Sequence, residues 1–137
     1  MLDYYGQLGD GSMDADPKRS MVEVQLHHLD EALALSRVGG DVELLREVVG
    51  LFLDDYPQSL EMIRDAVNKG DKSNLERHAH SLKGSVSTFG AQEAFEAAQE
   101  LERQGRTGDL ACAQDGLSRL EQALTALRPD LEVLQTK

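Results

Sequence analysis

His80, Lys83, Gly84 and Ser87 fall within one short stretch, HAHSLKGSVSTFGA, residues 78–91. Imidazole nitrogen attacks phosphorus readily and forms an N–P bond of high transfer potential. A phosphoryl group needs positive charge and donors around its equatorial oxygens, and in-line access for its acceptor. Lys83 supplies charge, Ser87 can donate a hydrogen bond, and Gly84 leaves the approach open. The stretch reads as helix, where glycine costs roughly 1 kcal/mol against alanine. That cost calls for a compensating use.

On a helical wheel of about 100° per residue, Leu75, Ala79, Leu82, Val86 and Phe89 share one sector. His80 lies about 140° from the centre of that sector and so faces solvent. Lys83 and Gly84 flank it one turn on, Ser87 sits above it, and Glu76 and Arg77 lie one turn below. Gly84 is therefore read as a docking surface, a side-chain-free spot where another protein can come close to the imidazole. His78 and His80 do not form a metal pair, because residues two apart on a helix point about 200° apart. His78 lies nearer the core edge and reads as structural; His27 and His28 read as surface or packing residues.

These residues must be held by helices. From Val22 the spacing of Leu26, Leu29, Leu33 and Val38 predicts a short helix that stops at Gly39-Gly40. Asp41 caps a long amphipathic helix to about Lys69, continuous but kinked at Pro57, with Gly70 as its stop. Asp71 or Ser73 opens the helix that carries His80, which runs to about Phe89 and breaks at Gly90. The next runs from about Gln92 to Gln104, with Ala94, Phe95, Ala98 and Leu101 inward. GRTGD, residues 105–109, reads as a turn with Asp109 as the cap of the last helix, which stops before Pro129. The expected fold is all-α: an antiparallel up-down four-helix bundle with an additional short N-terminal helix over one end.

Residues 1–20 are rich in Gly, Asp and Ser without periodicity and read as a flexible lead-in or linker; residues 21–137 form the bundle domain, with its core at about 30–127. The chain has 137 residues, enough for one domain with a real core. A net charge of −11 disfavours nucleic acid and anionic membrane surfaces. No apolar run approaches the length of a membrane span, and the N-terminus does not look like a signal peptide. The single cysteine, Cys112, excludes a disulfide framework within the chain and fits a reducing cytoplasm. Without a basic neighbour it reads as a buried or half-buried structural thiol. Gly39-Gly40 and the 105–108 turn lack the spacing of a nucleotide-binding loop, so no autokinase activity is expected.

AHSLKGSVSTFGA resembles the signature of histidine-containing phosphotransfer (HPt) domains of multistep phosphorelays: Ala-His-x-Leu-Lys-Gly-Ser, then Gly-Ala. GGDVELLREVVGLFL looks like the family's first long helix, and LERQGRTGD like the later helix end and turn. The likeness covers about residues 30–127 and leaves the first 20 residues unexplained. It implies that His80 is the phosphorylated residue, with Lys83 the neighbouring lysine and Gly84 the small residue. It implies phosphoryl shuttling between aspartates of receiver domains, in response regulators or hybrid sensor kinases. Those partners supply Mg²⁺, and the domain itself holds no cofactor or metal. The chain is then a phosphotransfer intermediate rather than a stand-alone enzyme, cytoplasmic and monomeric. Competing readings are a non-catalytic helical adaptor and a degenerate HPt-like domain that binds a receiver without transfer; intact His80, Lys83 and Gly84 weigh against both.

The imidazole also needs an acceptor for its non-reacting nitrogen. Folding back at Gly90 sets residue 80 level with about residue 100, and Glu100 and Glu102 fall in that window. Glu102 follows the core residue Leu101, flanks the interface, and is the expected acceptor.

Overall fold

The computed structural model describes residues 28–136. The described residues form five helices and no strand: α1 (Glu31–Arg37), α2 (Val42–Lys69), α3 (Lys72–Ser87), α4 (Gln92–Thr107) and α5 (Ala113–Thr136). An aspartate side chain opens each of the first three. Asp30 accepts from the Leu33 amide at 3.0 Å, Asp41 from Leu44 at 3.1 Å and Asp71 from Asn74 at 3.2 Å. Each satisfies a donor that the first helical turn leaves without a partner.

The four long helices pack in sequence order, and α5 closes the ring against α2. The core is a largely aliphatic column. Val49, Phe52 and Ile63 of α2 meet Leu75, Ala79, Leu82 and Val86 of α3, Ala98 and Leu101 of α4, and Leu120, Leu124 and Leu127 of α5. This is the expected up-down bundle. α2 is unbroken through Pro57 and ends at Gly70, whose left-handed φ of +67° turns the chain into α3. α3 ends at Ser87, two residues before the expected Phe89, which nonetheless stays buried beside Phe52.

The short α1 covers the end of the bundle at the α3–α4 turn. The Asp30 amide donates to the Phe89 carbonyl at 2.8 Å, and the Arg37 guanidinium to the Ser87 carbonyl at 3.1 Å. Gly90, at φ +62°, lets α1 lie against this turn: a Cβ there would meet Asp30 Cβ at 2.7 Å. The helix starts at Glu31, so Leu29 packs ahead of it rather than on it. Residues 1–27, including Leu26, His27 and the lead-in, lie outside the described residues.

Several expectations for the second half of the chain are corrected. The helix read as ending near Gln104 continues to Thr107 and stops at Gly108. Gly105 is not a turn residue. It sits in the buried face of α4, where an added Cβ would meet the Glu76 amide nitrogen at 2.6 Å and the Lys72 carbonyl at 2.8 Å. The glycine is there because two helix backbones touch. The last helix does not stop before Pro129 but runs through it to Thr136. Leu131 and Leu134 continue its apolar stripe and are buried. Burying two leucines, at roughly 1.5–3 kcal/mol each, offsets a helix-interior proline that costs about 3 kcal/mol. Asp109 does not cap that helix; its carboxylate accepts from the Ala111 amide at 3.3 Å and holds the turn before it. Cys112 lies in that turn and is exposed, not buried or half-buried, because the buried stripe starts one residue later at Ala113.

Two glycines inside helices thus have opposite surroundings. A Cβ on Gly84 would meet nothing within 4 Å, whereas one on Gly105 would strike the α3 backbone. Gly84→Ala is expected to raise stability by up to about 1 kcal/mol. Gly105→Ala is expected to lower it by roughly 1–3 kcal/mol, since backbone cannot yield as a side chain does. Denaturant melts of both variants test this, and a stabilising Gly105→Ala would refute the packing assignment.

Candidate functional site

The inward sector of α3 is Leu75, Ala79, Leu82 and Val86, all buried. That leaves His80 on the outside, with its side chain 67% exposed. Small residues at Ala79, Ala94 and Ala98, together with Gly105, bring α4 close to α3. Glu102 follows Leu101 in the stripe and emerges at the seam between the two helices. Its carboxylate is largely buried, with the side chain 11% exposed.

The carboxylate ties three cationic or potentially cationic side chains together. His80 Nδ1 lies 2.8 Å from Oε2, and Lys83 Nζ lies 2.6 Å from Oε1. Arg106 Nη1 stands 3.9 Å from Oε2. Burial pushes the Glu102 carboxyl up, but hydrogen bonds from Lys83 and His80 and the charges behind them outweigh it, so its pKa is below the ordinary value. An ionised carboxylate only accepts, so Nδ1 carries the ring proton. Nε2 then keeps its lone pair, which makes it the nucleophilic nitrogen of the ring.

Lys83 sits deeper than its expected role required. It is 21% exposed, lies over the Phe95 ring with 5.9 Å to the centroid, and spends its shortest contact on Glu102. Phe95 itself is half-buried rather than fully inward. Gly84 presents bare backbone on the exposed side of α3. Ser87 turns its hydroxyl away, donating to the Gly84 carbonyl at 2.8 Å. Arg77 bonds the Asn74 side chain and does not join the cluster. Glu100, the other carboxylate in the expected window, is held by Arg103 and Gln104. His78 is half-buried on the same helix, outside the cluster. His28 donates its amide to Asp130 at 3.3 Å and lies near Glu93, a packing position at the far end of α5.

Arg106 was missed by sequence reasoning. Its spacing of four from Glu102 was available, but reading residues 105–109 as a turn removed it from the helix that places it.

The lowered Glu102 pKa has a thermodynamic consequence. A carboxyl depressed in the folded state contributes stability above its unfolded pKa and loses it as pH falls through the folded value. Glu102→Gln is therefore expected to be less stable at neutral pH by roughly 1–3 kcal/mol. The gap from the parent should narrow as pH drops below the carboxylate range. Melts across pH measure it; a gap that stays constant into acid would mean that the charge is not what stabilises.

The model of the Hpt domain family matches residues 47–130, from the second turn of α2 into α5. Histidine-containing phosphotransfer protein B (HptB) from Pseudomonas aeruginosa PAO1 has a similar structure, with a TM-score of 0.75 and 25% identity over 82% of this chain and 97% of that one. The HPT domain of a sensor hybrid histidine kinase from Shewanella shares the fold, with a TM-score of 0.71 and 21% identity over the same shares. Among curated proteins no sequence matches this chain significantly. A family match over more than half of the chain, on a helical bundle of this shape, means that this chain belongs to the Hpt domain family.

Proposed function

We propose that this domain serves phosphorelay signal transduction through His80. Nε2 accepts a phosphoryl group from a receiver-domain aspartate and passes it to another. The observation that carries this reading is the ring's arrangement: Nδ1 is tied to a buried carboxylate while most of the imidazole stays exposed beside bare backbone.

In the forward step the Nε2 lone pair attacks the phosphorus of an aspartyl phosphate. The N–P bond forms, the P–O bond to the aspartate breaks, and the aspartate leaves as a carboxylate. The ring gains positive character as this happens. Glu102, already accepting from Nδ1–H, balances that charge without moving. Reversal delivers the group to a second receiver. Mg²⁺ is assigned to the receiver, not to this chain. Glu102, the carboxylate of the cluster, is already engaged by Lys83 and His80 and is unsuited to a Mg²⁺ site. Among the described residues no group of three His, Cys, Asp or Glu side chains is placed to hold a metal, and no helix is long and apolar enough to cross a membrane.

Gly84 gives the receiver its closest approach. Beside it runs an apolar groove between α2 and α3, lined by Val48, Leu51, Phe52, Tyr56, Leu82 and Phe89. Leu51 is 63% exposed at its rim and offers apolar contact to the docked partner. The domain acts as a monomer in the cytoplasm, where receivers and their acceptor aspartates are found.

His80→Gln is expected to abolish phosphate uptake from a phosphorylated receiver and leave melting nearly unchanged, since the ring is exposed. Acid-labile, base-stable phosphate retained on that variant would move the site elsewhere. Gly84→Gln keeps His80 but places a side chain between the two proteins. Displacement near 1 Å at reacting atoms can cost on the order of 100-fold in rate. Transfer from the receiver should therefore slow strongly, while phosphorylation by the small donor phosphoramidate continues. Normal transfer by Gly84→Gln would take the glycine out of the docking face.

A further inference from the structure

The cluster around Glu102 holds one more cation than its carboxylate can pair. Lys83 and Arg106 both stand beside it, and His80 donates to it as well. In a protein with a net charge of −11, a local surplus of positive charge stands out. The two cations are not equivalent. Lys83 is 21% exposed, stacked on Phe95 and bonded at 2.6 Å; withdrawing it would strip a largely buried carboxylate of its charge partner. Arg106 is 56% exposed and stands 3.9 Å from Oε2, beyond hydrogen-bond length. Little holds it on the carboxylate, and its planar fork suits the paired oxygens of a phosphoryl group.

We infer that Arg106, rather than Lys83, is the cation that binds the phosphoryl group on His80. This rests on the assignment of His80 as the phosphorylated residue. In the resting state Arg106 waits on the carboxylate oxygen that His80 also uses. When a dianionic group arrives at Nε2, Arg106 swings to its oxygens. Lys83 remains in place, keeps Glu102 ionised and so holds the Nδ1–H tautomer. Lys83 is thus a positioning residue, and Arg106 touches the transferred group. No bond to Arg106 forms or breaks covalently in this step; an ion pair is exchanged for a stronger one.

A structural alternative exists for Arg106. It lies in the last turn of α4, where a cation favours the helix dipole. The experiment separates the two. Arg106→Gln and Arg106→Lys are phosphorylated with phosphoramidate, a donor small enough to need no docking face. Rates are compared with the parent, and the phosphohistidine is titrated by ³¹P NMR. Arg106→Gln is expected to slow phosphorylation about two- to five-fold, the range for a partly exposed ion pair. It should raise the apparent pKa of the phosphoryl group, because a nearby cation favours the dianion. Arg106→Lys should recover most of both effects. The Nδ1–H tautomer, read by imidazole ¹⁵N shifts, should persist in both variants and be lost in Lys83→Gln. If Arg106→Gln lowers only the melting temperature and matches the parent in rate and ³¹P titration, the residue is a helix-end cation and the inference fails. A parent that takes no phosphate on His80 would overturn the His80 assignment itself, and this inference with it.

Discussion

A carboxylate at the seam of two helices organises this structure. Glu102 is removed from water far enough that it must be paired to stay ionised. Lys83 and His80 meet that demand from the facing helix. The same two contacts that stabilise the charge also orient the imidazole. Stability and reactivity are therefore both served by one group, the Glu102 carboxylate.

That geometry depends on how closely α3 and α4 approach. The distance between them is set by small residues, with Ala79 and Ala98 along the seam and Gly105 at its end, where an added Cβ would strike the facing backbone. A bulkier seam would draw Glu102 away from His80 by more than the tolerance of a hydrogen bond. Gly84, on the outer side of α3, meets nothing and is kept free for a different surface. One kind of residue thus serves two ends: an inner glycine for packing within the chain, an outer one for approach by another.

The rest of the bundle is support. α1 braces the α3–α4 turn through Asp30 and Arg37, and so holds the hinge from which Glu102 folds back to His80. The extended α5 carries Leu131 and Leu134 beyond Pro129 into the core with α2. Arg64 of α2 pairs with Glu121 of α5 at 2.6 Å and fixes the opposite seam. A rigid frame suits a site whose ring and carboxylate must stay in register while partners come and go.

The sequence alone determined what its periodicity and end signals encode. The apolar stripes of α2 and α3, the caps at Asp41 and Asp71 and the stop at Gly70 follow from local rules, and so does the outward face of His80. Glu102 was also within reach, because a tight turn at Gly90 makes the two helices antiparallel and counting residues then approximates their register. Where local and tertiary terms oppose each other, the local reading failed. Gly105 and Pro129 look like breaks because their intrinsic helix preference is poor, yet each lies inside a helix where packing outweighs that preference. Arg106 was lost with Gly105, since a residue placed in a turn has no face. Only the tertiary structure decided which cation the buried carboxylate keeps. Burial, not residue type, makes Lys83 the close partner and leaves Arg106 exposed at the edge of the cluster, and burial is a property of two helices packed together.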